Sequence, residues 1–293
     1  MWKYIVCTLL VAAFAACNDD FDLRNEESRL VVEGWIEDGG YPVVIVSRSL
    51  AVSTEQQQMA DLGDYIVRWA KVTVSDGTES VVLTGKYDKG YFPSYIYTTG
   101  RMRGEAGKQY TVSVEYGDYY ATAKTTIPAV PEYCTFRVEP CEHSDTLYQI
   151  KATFRDNPAE KNYYQLFSRV GTTSRQYLAS YLGSLDDAVL GTTTEVSVYR
   201  GQQLKLDDYT PYYTADDTVS VKLAHIDETS FRVWDSYTKT LSLSNIMFLS
   251  TSSDMESNIV GGYGYWCGYG AVTDYIVIRD SVRACPPESD KRD

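Results

Sequence analysis

Few residues of this sequence have the types and spacing that catalysis requires. There are two histidines. His143 stands in a polar stretch, CEHSD. His225 ends an apolar run two residues before Asp227. A carboxylate beside an imidazole can orient a base, but a hydrolase also needs a nucleophile within reach. Ser236 and Lys239 form an S-x-x-K spacing, which on a helix sets a lysine one turn from a hydroxyl. No S-D-N or K-T-G companion appears, so a solvent-facing pair is the expected reading. H-E-x-x-H and G-x-S-x-G are absent. The glycine-rich GGYGYWCGYG lacks the lysine and the following helix of a phosphate-cradling loop. The pairs Asp186–Asp187, Asp207–Asp208 and Asp216–Asp217 offer hard oxygens for calcium, yet none follows a calcium-loop spacing. The expectation is a non-enzymatic protein with no metal or other cofactor.

Binding is the better reading of the unusual residues. The chain has 26 Tyr against 8 Phe. Tyr combines a flat apolar face with a hydroxyl, which suits half-wet strands and recognition surfaces. Tyr209, Tyr212 and Tyr213 lie among acidic residues in DDYTPYYTADD. Tyr263, Tyr265 and Trp266, with Tyr269 beyond them, form a second group. Both sets are candidate platforms for a glycan or peptide ligand. In the second, the rival reading is that alternate rings point into a core.

Six cysteines carry different meanings. Lys3 followed by the uncharged, apolar IVCTLLVAAFAA reads as a signal peptide, too short to span a bilayer as a helix. Small residues Ala15 and Ala16 precede Cys17, so cleavage after residue 16 would expose a cysteine for lipidation. That lipid would hold the chain on an outer membrane. Cys7 leaves with the signal peptide. Cys134, Cys141, Cys267 and Cys285 remain, an even number in an exported chain. TFRVE between Cys134 and Cys141 reads as a strand, and seven extended residues span roughly 23 Å. A disulfide needs Cα atoms about 5.5 Å apart, so those two would not pair. A nested pairing, Cys134 with Cys285 and Cys141 with Cys267, fits two antiparallel strands. Close CxxC spacing is lacking, which argues against zinc.

Composition bounds the rest. The formal net charge is −13, or −14 once Lys3 leaves with residues 1–16. So acidic a chain has no electrostatic footprint for nucleic acid. Repulsion from anionic headgroups leaves the lipid as the expected sole membrane attachment.

The elements that would position these residues are mostly strands. Residues 17–29 read as a flexible tether. LVVEGWIE and YPVVIVSRS flank Asp38-Gly39-Gly40 as a hairpin, and Asp76-Gly77 turns a second one. YTVSVE alternates apolar and polar, and Gly117-Asp118 turns it into YYATAKTTI. Short strands with regular turn signals predict an immunoglobulin-like β-sandwich over 30–129. Pro128 and Pro131 mark a boundary. A second β-rich domain follows over 130–285, and residues 286–293 read as a disordered tail. One amphipathic helix is expected near 228–241, capped by Asp227, with Phe231, Trp234, Tyr237 and Leu241 on one face. The fold class is therefore all-β with one helix.

Two resemblances add to this. Asn18, Asp19, Asp20 and Asp22 after Cys17 resemble the acidic signal that sends Bacteroidota lipoproteins to the outer face of the outer membrane. LVVEGWI with its DGG turn, FRDNPAEKNYY and SNIVGGYGYW resemble the Bacteroidota lipoproteins grouped as the "domain of unknown function 4249" family. The four later cysteines are not part of that pattern. Members tend to be encoded beside TonB-dependent receptors, so the resemblance implies a surface-exposed accessory or ligand-binding partner of a TonB-dependent nutrient transporter. A fimbrial-type adhesive subunit and a surface hydrolase are the rival expectations.

Overall fold

The computed structural model describes residues 28–49, 63, 65–142, 144–187, 190–201, 209–243 and 255–279. Residues 1–16, expected as a signal peptide, Cys17, His143, Asp207, Asp208, Cys285 and the expected tail lie outside them, as does the expected tether before residue 28.

The expected strands form. In chain order they are β1 (Leu30–Glu37), β2 (Val43–Arg48), β3 (Lys71–Ser75), β4 (Ser80–Val82), β5 (Thr84–Tyr87), β6 (Tyr95–Thr98), β7 (Gln109–Tyr116) and β8 (Tyr119–Thr126). Then come β9 (Cys134–Pro140), β10 (Leu147–Arg155), β11 (Tyr163–Val170), β12 (Leu178–Leu185), β13 (Thr193–Val198), β14 (Tyr213–Thr214) and β15 (Thr218–Ile226). The helix α1 (Glu228–Leu243) and the last strand, β16 (Gly262–Val277), follow. The fold is all-β with one helix among the described residues.

An eight-stranded sheet, ordered β12-β11-β15-β16-β1-β2-β6-β5, runs through the molecule. Its organiser is the 16-residue β16. The first half of β16 pairs in parallel with β1, from Leu30 opposite Gly262 to Glu37 opposite Tyr269. Its second half pairs antiparallel with β15, from His225 opposite Gly270 to Thr218 opposite Val277. Two four-stranded sheets cover one face: β4-β3-β7-β8, and β9, β13 and β14 around β10.

Alternation decides which residues fill which core. On β1, Leu30, Val32 and Ile36 point to the β3–β7–β8 side and meet Val72, Val74, Val112 and Val114. Trp266 of β16 joins this core, and its indole lies where a Cβ on Gly34 would come within 2.8 Å. Val219, Val221 and Leu223 of β15 pack with Tyr148, Ile150 and Phe154 in a second core. Gly264 has φ +106, and a Cβ there would run into the Val32 carbonyl. That is the close backbone approach that glycines within a strand signal.

The opposite face of the long sheet receives α1. Phe231, Trp234 and Tyr237 pack on Tyr163, Phe167, Ala224, Cys267 and Tyr269. The side chain of Leu241 lies outside the described residues. As expected, Asp227 caps the helix, its Oδ1 accepting the Ser230 N–H at 2.7 Å.

Two expectations change form. The first segment does not close on itself at residue 129. β16 comes from the second segment, yet it pairs with β1 and places Trp266 in the first core. That pairing removes what would otherwise be an open edge on β1. Of the nested disulfides, Cys141 with Cys267 is not formed, while Cys285, the expected partner of Cys134, lies outside the described residues. Cys267 is a fully buried thiol on the α1 face of the long sheet, whereas Cys141 follows β9 in a small sheet on the other face. Cys134 packs at the second core and has no disulfide partner among the described residues. Burial pushes both the Cys134 and the Cys267 thiol up to about 12.

Candidate ligand pocket

The α1 face of the long sheet carries a cavity of about 220 Å³. The sheet's alternation builds it. Odd positions on β1 and β16 turn away from the sandwich cores, so Trp35, Glu37, Tyr265 and Tyr269 arrive on this face. Even spacing on β15 sends Lys222 there as well. Phe167 of β11 and Trp234 of α1 close one side. Val43 of β2 adds to it, and loops supply the rest: Gly40 and Tyr41 after β1, Tyr91 before β6, and Arg175, Gln176 and Tyr177 before β12.

Aromatic rings form most of the wall, and they brace one another. Trp234 meets Phe167 at 5.1 Å and Tyr265 at 5.0 Å between ring centroids. Phe167 in turn meets Tyr269 at 5.4 Å, and Trp35 lies 6.1 Å from Tyr91. Such tilted and edge contacts stabilise rings beyond the area they bury. The pocket is therefore largely preformed.

Its floor is an ion pair. Lys222 Nζ donates to Glu37 Oε1, with the lysine side chain 6% and the glutamate 25% exposed. Burial lowers the Lys222 pKa, and the Glu37 charge opposes that shift. The ammonium also lies 4.0 Å from the centroid of the Tyr177 ring, a cation–π contact. Arg169 packs 4.8 Å from the same ring and donates to Ser220 Oγ at 2.7 Å, but it does not line the cavity.

A clasp of two loops forms the rim. Arg175 N–H donates to the Gly90 carbonyl at 2.7 Å, and Phe92 N–H donates to Gln176 Oε1 at 3.0 Å. Arg175 Nη1 pairs with Asp88 Oδ2 at 3.1 Å. The clasp joins the β5–β6 loop to the β11–β12 loop, so the pocket draws walls from both ends of the chain.

The sequence-derived candidates divide. Tyr265 lines the pocket and Tyr269 accompanies it. Trp266, between them, faces the other way; its Nε1–H donates to the Tyr110 carbonyl at 3.0 Å. Tyr263 is half-buried beneath the Arg29 guanidinium. Tyr209, Tyr212 and Tyr213 do not line this pocket. Tyr213 is fully buried in the second core, Tyr209 donates to the Arg200 carbonyl, and Tyr212 packs against Tyr199.

The catalytic candidates do not converge. His225 Nδ1 lies 2.8 Å from the Ala129 carbonyl, its ring stacks on Tyr164, and burial lowers its pKa. Ser236 Oγ donates to the Val233 carbonyl and accepts the Glu256 N–H, while Lys239 pairs with Asp235. Among the described residues no three His, Cys, Asp or Glu gather as metal ligands. Asp187 accepts the Asn162 N–H and Asp217 accepts from Thr214.

Sequence reasoning passed over Trp35, Glu37, Tyr177 and Lys222. One signal was available: Lys222 interrupts VSVKLAHI, an otherwise buried apolar run. A charge there requires a partner.

The model of the family described as Domain of unknown function (DUF4249) matches residues 18–274, and every pocket residue falls within that range. No curated protein matches the chain. The chain belongs to the DUF4249 family.

Proposed function

We propose that this chain is a non-enzymatic, ligand-binding lipoprotein of the outer membrane, anchored through Cys17 and facing the cell exterior. Its partner is a TonB-dependent transporter, to which it presents a small nutrient. The observation that carries the binding role is the cavity itself. It is concave, walled by braced aromatic rings, and has a few fixed polar groups on its floor, the usual anatomy of a small-molecule site. A protein that only filled space there would have no reason to bury a lysine and a glutamate facing an opening. The anchoring role rests on the lipobox reading of Cys17 and on the acidic residues after it. No helix among the described residues is long and apolar enough to cross a membrane.

Affinity purification of the tagged full-length chain from detergent-solubilised outer membranes tests the partnership. A β-barrel receptor recovered in stoichiometric amount supports it. Recovery of a self-assembled polymer with no barrel would refute it in favour of an adhesive subunit. A Cys17→Ser variant should leave the membrane fraction; full retention there would remove the lipid anchor from the proposal.

A further inference from the structure

We infer that the pocket takes one uncharged sugar ring, recognised as a neighbouring pair of hydroxyls by Glu37 and Lys222. This rests on the reading of the cavity as a ligand site and adds its ligand class.

Size is the first argument. The cavity volume is about 220 Å³. Drug-sized sites occupy about 300–1,000 Å³, so this one suits a single ring of about a dozen heavy atoms. A longer glycan or a peptide would have to leave most of its length outside.

Charge is the second. Two cations line the cavity, and each already has a carboxylate: Lys222 has Glu37, and Arg175 has Asp88. Arg175, 64% exposed, stands with Asp88 at the rim; a charged ligand at Glu37 and Lys222 would have to compete with a buried ion pair, and breaking such a pair is strongly unfavourable. An uncharged one need not. The pair retains unused capacity on both sides. Glu37 Oε2 has acceptor sites, and Lys222 has N–H donors beyond the one given to Glu37. A hydroxyl both donates and accepts, so two adjacent hydroxyls can span the pair and leave it intact. Gln176 adds amide donors, since its Oε1 is the atom held by Phe92.

Shape is the third. The C–H face of a pyranose is flat and apolar, and Trp35 and Tyr265 are flat aromatic rings that line the same cavity.

Ligand-detected saturation-transfer NMR on the full chain, with matched neutral and acidic sugars at millimolar concentration, tests this. Methyl glycosides of glucose, galactose and mannose are compared with glucuronate and galacturonate, and with free amino acids and dipeptides. At least one neutral glycoside should bind, and its uronate counterpart should bind at least tenfold more weakly. Glu37→Gln should weaken the neutral sugar by about tenfold or more, since a hydrogen bond to a charged group is lost. Trp35→Leu should do the same. Trp69→Phe, a change at an exposed residue outside the cavity, should leave binding unchanged. Uronates binding as well as neutral sugars, or amino acids or dipeptides binding alone, would overturn the sugar assignment while leaving a ligand pocket. Sugar binding indifferent to both Trp35→Leu and Glu37→Gln would overturn its placement in this cavity. Silence across the panel would overturn the sugar assignment, while the ligand-site reading stands or falls on small molecules of other classes.

Discussion

Lys222 is nearly inaccessible to water, and its charge is tolerated because Glu37 lies against it. That makes the two residues a unit. Lys222→Met removes one partner and strands a half-buried carboxylate, at a cost of about 3 kcal/mol. The double variant Lys222→Met, Glu37→Leu removes both charges and should recover most of that loss. Urea unfolding midpoints of the three proteins measure this, and equal losses in the single and double variants would show that the pair is not coupled. Glu33 is a different case. It shares the α1 face of β1 with Glu37, lies close to Tyr237 and Tyr265, and has no ion pair among the described residues. Burial pushes its carboxyl from the usual 4.5 up to about 7. The folded chain therefore holds this proton more tightly than the unfolded chain does. The stability linked to it is fully present below pH 4.5 and is lost as pH rises through about 7. Glu33→Gln removes the titration. The variant should match wild type in mild acid and exceed it above neutrality by up to about 3 kcal/mol. Melting curves of both proteins across that range read the difference, and parallel pH profiles would contradict it.

At the level of elements, α1 is tied to the sandwich through one side chain. Asp227 Oδ1 caps the helix, while its Oδ2 accepts from Thr125 Oγ1 and the Thr126 N–H at the end of β8, both at 3.0 Å. Asp227→Ala should cost about 2 kcal/mol, more than a cap alone, because the β8 contacts go with it. Asp227→Ser keeps the cap and should recover only part. Full recovery in thermal melts would mean that the β8 contacts contribute nothing. This helix, its cap and the Phe231–Trp234–Tyr237 face were all legible in the sequence, because helical spacing and capping chemistry are local. So were the hairpins turned at Gly39 and Gly77, where positive φ is required. The pocket was mostly not. Its walls come from β1, β2, β11, β15, β16, α1 and three loops, and no local pattern records that those meet. The second aromatic group shows the limit sharply. The middle of β16, residues 266–270, is buried on both faces, so alternation separates Tyr265 from Trp266 without telling which faces a core and which a cavity. Tyr213 failed as a surface residue for a related reason: it sits in a loop-like, acidic stretch, yet its two-residue strand β14 pairs with β10 and turns the ring into the second core.

Across the whole molecule, the long sheet couples the two halves that composition and prolines divide. β16 is paired to β1 along its first half and to β15 along its second, so neither half can lose it without the other. Trp266 fills the first core and Ile276 packs against the second, only ten residues further along the same strand. The clasp between Asp88–Phe92 and Arg175–Gln176 ties the halves again at the pocket rim. Independent domains would unfold in separate steps, because interfaces between such domains are small and polar. A shared central strand predicts the opposite. Urea unfolding should be a single transition, with far-UV circular dichroism and tryptophan fluorescence coinciding. The fluorescence reports mainly on the first core and the pocket, through Trp266, Trp35 and Trp234, while the dichroism reports on all the sheets. Two separated transitions, or a fluorescence change that precedes loss of strand signal, would show that β16 does not bind the halves into one cooperative unit. The same coupling bears on binding. Pocket residues come from both sides of the shared strand, so a ligand that fills the pocket should raise the midpoint of that single transition as a whole rather than that of one half.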